Sequence, residues 1–233
     1  MNAIKTGSDL SSQDRAYRYI RERIIGAEFK PNQKLRAQDI AARLRTSRTP
    51  VREALGRLTQ DGLVEKHDGW GYIVTPLTVG AILNLFRVRE ALEVEAIHEA
   101  LPNVEKALLR RLAEHLATSR ALLAQRHWSE FLAESRRFHQ AIATATGNPL
   151  LQAMLQSITA RIQVVGGMLV EKYVGRADEI LEENGRILHA LTKRDRGAAE
   201  AAVRAHIQRG RDRVMQHLGH EDIRLYVSGS AHA

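Results

Sequence analysis

The stretch that decides the fold is residues 44–55, which read Leu-Arg-Thr-Ser-Arg-Thr-Pro-Val-Arg-Glu-Ala-Leu. It predicts the start of a helix, because Ser47 or Thr49 can cap the free amides of a first turn and Pro50 is tolerated there. Asp61-Gly62 then ends the helix. Its apolar residues recur at helical spacing and predict a buried stripe. The stripe consists of Val51, Leu55 and Leu58.

The same helix and its approach are strongly basic. Five arginines against Glu53 give a charge of about +4, and they are Arg43, Arg45, Arg48, Arg52 and Arg57. If the apolar stripe faces the core, Arg48, Thr49 and Arg52 point outward near the helix N-terminus. Arginine pairs bidentately with guanine, and hydroxyls and N-terminal amides suit phosphates. The pattern therefore favours a DNA-reading helix, and a solvated arginine face is the alternative.

The neighbouring segments complete a small domain. Residues 11–25 place Tyr17, Ile20 and Ile24 on one face and predict a first helix; Ala37–Leu44 predicts a second. After the third helix, a turn at His67-Asp68-Gly69 and the run Tyr72-Ile73-Val74 predict a β-hairpin. Three helices and a hairpin indicate a winged helix-turn-helix, which we expect over residues 9–76.

The rest of the chain has only a helical period. We expect a mainly α protein in which residues 77–222 form an all-α antiparallel bundle of six or seven helices, followed by a tail at 223–233. Glycines and prolines predict the breaks between these helices. The breaks are expected at Pro102, at Gly147-Asn148-Pro149, near Gly166-Gly167, at Gly175 and near Gly197.

Composition narrows the class of protein. The 233 residues carry a net charge of +8, and residues 1–76 alone hold 14 basic against 9 acidic side chains. This excess predicts an anionic partner for the N-terminal part. The chain has no cysteine, no apolar run long enough to span a bilayer and no signal-like apolar start, so we expect a cytoplasmic protein without a membrane partner.

The N-terminal motif resembles the signature of the GntR family of bacterial regulators, as do Leu58-(x)2-Asp61-Gly62-Leu63-Val64 and the wing at Gly69 to Val74. The resemblance implies that operator DNA is read mainly by the third helix and its approach. The residues concerned are Arg45, Ser47, Arg48, Thr49 and Arg52, with Gln38 nearby and His67 and Gly69 in the wing. Trp70 stands where the family often has a basic residue.

The helical part resembles the FCD ligand-binding domain of the FadR-like branch of that family, over about residues 78–218. The motifs are Val88-Arg89-(x)2-Leu92-Glu93, Phe138-His139-(x)2-Ile142 with Ala145-(x)-Gly147-Asn148, and Ala205-His206-Ile207. In the family, a carboxylate and three histidines hold a divalent metal, which binds an organic acid. His139 and His206 match two of these positions, but Ser135 and Asn184 occupy the other two.

A hydroxyl and an amide are poor replacements for a carboxylate and an imidazole. We therefore expect a pocket that does not depend on a cofactor. In this pocket the effector is bound directly by Ser135, His139, Asn184 and His206. A divalent metal held by His139 and His206 is the alternative. Arg89 is the candidate clamp for an effector carboxylate, or else the i, i+4 partner of Glu93. By helical geometry, His189, Glu134 and Glu183 are expected to point away from this pocket.

The resemblance predicts a homodimeric repressor of a metabolic operon, released from a palindromic operator by a small carboxylic acid. An enzyme is not expected, because the chain has no G-x-S-x-G, H-E-x-x-H, P-loop or dinucleotide-binding motif. A DNA-binding architectural protein, whose helical part serves only for dimerisation, is the remaining alternative. It differs from a regulator in having no effector.

Overall fold

The computed structural model describes residues 11–26, 28–67, 71–76, 78–172 and 175–217. These residues form two compact units, one ending at Thr78 and the other beginning at Val79. Each unit buries apolar side chains of its own. The mainly α fold that the sequence predicts, with a small sheet after the first helices, is confirmed.

Three helices make up most of the N-terminal unit: α1 (Ser12–Ile25), α2 (Ala37–Leu44) and α3 (Arg48–Gln60). The hydroxyl of Ser11 caps α1 by accepting a hydrogen bond from the Asp14 amide at 3.0 Å. Ser47 occupies the capping position of α3 with an extended backbone, but its hydroxyl makes no capping hydrogen bond. The predicted apolar stripe of α3, Val51, Leu55 and Leu58, is completely buried, and Ala54 is buried beside it.

A three-stranded antiparallel sheet completes this unit, in the order β1-β3-β2. Strands β2 (Val64–His67) and β3 (Gly71–Val74) are the predicted hairpin. Strand β1 (Lys34–Leu35) was not predicted; it pairs Lys34 with Ile73 and Leu35 with Tyr72 of β3. Two residues are too short a run to show an alternating pattern. The turn at 68–70 lies outside the described residues.

Six α-helices form the C-terminal unit over the described residues 79–172 and 175–217, with one 3₁₀ turn at Leu101–Asn103. This agrees with the predicted six or seven helices. They are α4 (Val79–Ala100), α5 (Lys106–Ala124), α6 (Trp128–Ala145), α7 (Pro149–Lys172), α8 (Arg176–Thr192) and α9 (Arg196–His217).

The helix boundaries differ from the prediction in two places. No break occurs at Gly166-Gly167, because α7 continues through both glycines to Lys172. An interior glycine costs a helix only about 1 kcal/mol, and α7 buries Leu151, Leu155 and Val164 against the bundle, which offsets that cost. An unpredicted break separates α5 from α6, where Arg126 takes a left-handed conformation at φ 58°.

Helices α4, α6, α8 and α9 pack around one region in the interior of the C-terminal unit. Helix α4 packs against α9, α7 and α6, while α8 packs against α9, α5 and α6. Fully buried apolar side chains fill the space between them, including Ile97, Leu112, Phe131, Phe138, Ile142, Ile187 and Leu191. None of the described helices has both the length and the apolar character needed to cross a membrane.

Candidate functional site

The N-terminal half of α3 presents its basic face to solvent. Arg48, Thr49 and Arg52 are exposed, while the opposite face of the same helix is buried. Neither arginine makes an ion pair or hydrogen bond with any side chain in the described part of the chain. A guanidinium has five N–H donors, so both residues are available to an acceptor outside the protein.

The turn between α2 and α3 holds two further predicted residues at the same surface. Arg45 ends α2 in a left-handed conformation at φ 50°, and its amide hydrogen-bonds back to α2. Thr46 also donates its amide, to the Ala41 carbonyl at 3.0 Å. This tight turn leaves Arg45 and Ser47 exposed beside the α3 N-terminus, where amides and arginines together favour an anion.

Arg57 differs from the other arginines of this segment. It lies in the last turn of α3, where its Nη1 donates to Asp14 Oδ1 at 2.7 Å and its guanidinium stacks over the Tyr17 ring at 4.3 Å. These contacts tie α3 to α1. The sequence grouped Arg57 with the basic face by charge alone, but the structure gives it intramolecular partners.

Two further predicted DNA contacts are also at the surface of this unit. Gln38 is exposed in the first turn of α2, and His67 is exposed at the end of β2. The Nε2 atom of His67 lies 3.4 Å from Glu65 Oε2. Gly69 and Trp70 lie outside the described residues.

The C-terminal unit contains a second candidate site, a set of polar side chains in its interior. We call it the buried polar cluster; each member is at most 8% exposed, and its members are Glu93, Ser135, His139, Arg176, Glu183, Asn184 and His206. Helices α4, α6, α8 and α9 each contribute at least one member. Buried polar groups are costly unless they are paired, so the partners of each group identify its state.

One chain of hydrogen bonds links α4, α6 and α8. Asn184 donates through Nδ2 to Ser135 Oγ at 3.1 Å, and its Oδ1 lies 3.2 Å from His139 Nε2. The other ring nitrogen of His139, Nδ1, lies 2.8 Å from Glu93 Oε2. Arg89, at the edge of the cluster, donates to Glu93 Oε1 at 3.0 Å. The i, i+4 ion pair considered for Arg89 is therefore formed.

A second set of contacts links α8 and α9. The Nδ1 atom of His206 lies 2.8 Å from Glu183 Oε2. Arg176 donates to the two oxygens of Glu183 at 3.2 and 3.3 Å. The two sets meet at the imidazoles, because the rings of His139 and His206 stack with centroids 4.7 Å apart.

The cluster changes the acidity of its members. Burial raises the pKa of Glu93, but the charges of His139 and Arg89 outweigh it and hold that pKa well below its usual value. Burial also opposes ionisation of Glu183, yet its bonds to His206 and Arg176 lower its pKa to about 2. Burial lowers the pKa of His206 to about 4, despite its bond to Glu183. Two carboxylates are thus ionised near neutral pH, and His206 is neutral.

The residues present do not fit the divalent metal that the resemblance implies. A metal lies in the plane of each imidazole that binds it, about 2 Å from the nitrogen. The two rings here are stacked at an interplanar angle of 24°, so their nitrogens do not aim at one point. Each Nδ1 also faces a different carboxylate. Among the described residues, no three histidine or acidic side chains are arranged to hold a metal ion.

The structure brings together all four pocket residues predicted from the sequence, with Arg89 joined to them through Glu93. The expectation for Glu183 was wrong. Because α8 packs against both α6 and α9, Asn184 faces His139 while Glu183, one position earlier, reaches His206. Glu134 does point elsewhere, toward His115 and Arg137. Arg176 was also missed, since no periodic signal marks a buried arginine in a first turn.

Comparisons with known proteins identify relatives that match this chain over most of its length. Among curated relatives, the regulator YdhC of Bacillus subtilis is 27% identical over 82% of this chain and 85% of its own length. The repressor RspR of Escherichia coli is 25% identical over 86% of this chain and 87% of its own length. Among solved structures, E. coli McbR/YncC has the same fold, with a TM-score of 0.77 and 22% identity over 90% of this chain and all of that one.

Two family matches cover most of the chain. Residues 12–74 match the bacterial regulatory proteins of the gntR family, and residues 84–209 match the FCD domain. The curated relatives are transcriptional regulators rather than enzymes, which confirms the expectation from the missing catalytic motifs. This chain belongs to the GntR family of bacterial transcriptional regulators, with an FCD domain after its helix-turn-helix.

Proposed function

We propose that this regulator is a cytoplasmic homodimeric repressor, which binds a palindromic operator and releases it when a small carboxylic acid occupies the buried polar cluster. The DNA-binding part of this proposal rests on the different surroundings of the arginines of α3. Arg48 and Arg52 are exposed and unpaired among the described residues, whereas Arg57 is bound to α1. Unpaired arginines at a helix N-terminus suit base edges and phosphates.

The proposed roles follow the position of each residue. Arg48, Thr49 and Arg52 read bases in the major groove, Arg45 and Ser47 hold phosphates, and Gln38 lies close to the duplex. His67, with Gly69, approaches the minor groove from the wing. Because one short helix reads too few base pairs for genomic specificity, a dimer supplies the second half-site. The similar protein RspR of Escherichia coli is a transcriptional repressor, which supports repression rather than activation.

Donors without partners support an acidic effector. In the C-terminal unit, the Nε atom of Arg161 on α7 is buried and has no hydrogen-bond partner among the described residues. A buried N–H without an acceptor costs about 1–3 kcal/mol, and a bound ligand that places an acceptor beside this part of α7 would remove that cost. Ser135 and Asn184 each retain a further N–H or O–H donor beyond their mutual bond.

The experiment is a thermal-shift screen of the metal-stripped full-length protein against organic and sugar acids, alone and together with divalent metals. We expect an acid alone to raise the melting temperature, and the same acid to release selected operator DNA. Stabilisation only by an acid and a metal together would contradict the metal-independent pocket. No stabilisation by any acid would favour the architectural alternative, in which the cluster serves the packing of the helices.

A further inference from the structure

A second polar site lies outside the buried polar cluster, on the surface between α8 and α9. We call it the α8–α9 groove; it encloses about 420 Å³, and its side chains include Glu179, Glu182, Arg186, Arg209, Asp212 and Arg213. The volume is within the range of small-molecule sites, which is roughly 300–1,000 Å³. Three guanidiniums line this concave surface beside three carboxylates, and a polyvalent oxyanion can bridge the guanidiniums better than a single carboxylate can.

The charge pairs of the groove divide its arginines into two groups. Arg186 donates to Glu182 at 3.2 Å, and Arg213 donates to both oxygens of Glu179. Both pairs are exposed to solvent, which screens their attraction, so an incoming anion can replace them. Arg209 is different: it is half-exposed, and its carboxylate contact is a long one, 3.4 Å to Glu183 Oε1. That oxygen already accepts a hydrogen bond from Arg176.

We propose that the α8–α9 groove binds a phosphate group, free or carried by a small metabolite, with Arg209 as its principal ligand and Arg186 and Arg213 as the flanking ones. Arg209 has N–H donors beyond the one that contacts Glu183. It lies between solvent and this buried carboxylate, so it links the α8–α9 groove to the buried polar cluster. A phosphate bound to Arg209 competes with Glu183 for that guanidinium. Occupancy of the groove therefore alters the Glu183–His206 pair.

Isothermal titration of the full-length protein with inorganic phosphate at constant ionic strength tests this site. We expect saturable binding by the wild type, and binding weakened at least about tenfold, or roughly 1.4 kcal/mol, in both Arg209→Gln and Arg186→Gln. Arg186 is exposed and makes no contact with the cluster, so its variant is informative even if Arg209→Gln is unstable. Arg120→Gln, which removes an exposed charge from α5, is the matched control and should bind normally.

Phosphate could also bind the DNA-reading helix, so an Arg48→Gln, Arg52→Gln double variant is titrated in parallel. Phosphate binding that this double variant loses and both groove variants retain would overturn the proposal, as would a wild type without saturable binding. A sugar phosphate titrated beside inorganic phosphate distinguishes the two sources of the group. The His206 ring resonances should shift with phosphate in the wild type and not in Arg209→Gln.

Discussion

Arg52 and Arg57 lie on the same helix but have different surroundings. Arg52 is exposed and makes no contact with another described side chain, whereas Arg57 is held by Asp14 and Tyr17. We predict that Arg52→Ala weakens specific operator binding by at least about tenfold, since a bidentate base contact contributes roughly 1–3 kcal/mol. The measurement is a mobility-shift titration with DNA selected from a random-sequence pool.

Arg57→Ala is the matched control for this prediction, because it removes the same charge from the same helix. It should lower the stability of the N-terminal unit slightly and change specific binding much less than Arg52→Ala does. Equal losses in the two variants would show that α3 contributes charge alone, without reading the sequence.

Glu183 is the most heavily bonded member of the buried polar cluster. Its carboxylate accepts from Arg176 and faces His206, with only 2% of the residue exposed. Glu183→Gln leaves the buried Arg176 charge with only the partly exposed Glu179, 3.0 Å away, as a carboxylate partner among the described residues, and removing one partner of a buried ion pair costs about 3–5 kcal/mol. We predict a loss of that order in the free energy of unfolding, measured by urea titration. The adjacent Glu182→Gln, which removes an exposed pair with Arg186, should change it by less than about 1 kcal/mol.

His206 makes the stability of the C-terminal unit depend on pH. Its pKa is about 4 in the folded protein and near 6.5 when unfolded, so the unfolded state binds the proton first as the pH falls. The stability present above pH 6.5 is therefore lost progressively down to about pH 4. Glu183, with a pKa of about 2, stays ionised over this range. Urea titrations at pH 7 and pH 5 should show the decrease, and His206→Asn should reduce it. His189→Asn, at an exposed position, should not.

Among the individual site residues, the sequence identified Ser135, His139, Asn184 and His206 as neighbours, because each occupies a motif position that the resemblance marks. It did not identify Glu183, because the periodicity of one helix gives the direction of a side chain but not which other helices surround it. α8 has neighbours on more than one side, so two adjacent residues both reach the cluster. Which residues belong to such a site therefore depends on the several helices that surround it.

Among the helices, α8 offers a test of how much local propensity contributes. Gly185 lies inside α8, and an added methyl group at this position would meet no atom within 4 Å apart from its chain neighbours and the backbone of the helix itself. We predict that Gly185→Ala stabilises the C-terminal unit by up to about 1 kcal/mol, because alanine has the higher helix propensity. Gly147→Ala is the contrasting variant, since Gly147 has φ 69° between α6 and α7 and alanine is strained there. Thermal unfolding should move in opposite directions in the two variants.

The elements that the sequence predicted well are those with a long periodic pattern. The stripe of Val51, Leu55 and Leu58 predicted α3 and its buried face. The two-residue strand β1 was missed because its pairing with β3 depends on a partner almost 40 residues away. The break expected at Gly166-Gly167 was wrong because the packing of α7 outweighs a local preference.

For the whole molecule, the operator and the effector can influence each other only through two arrangements of the protein for which they have different affinities. Positive charge is concentrated in the N-terminal unit, and the buried polar cluster lies in the C-terminal one. The coupling is reciprocal, so an acid that weakens operator binding must itself bind more weakly to the operator complex, by the same factor.

We predict a factor of about 5–150, which corresponds to roughly 1–3 kcal/mol of coupling. It is measured by titrating the acid that gives the largest thermal shift into free protein and into its operator complex, and by titrating operator with and without that acid.

Ser135→Ala removes one hydroxyl from the cluster and leaves α3 unchanged, so it should reduce affinity for the acid while free protein binds operator as before. A variant that keeps the full acid response would place the effector elsewhere in the helical unit, and a factor of 1 in both directions would show that the acid does not control operator binding.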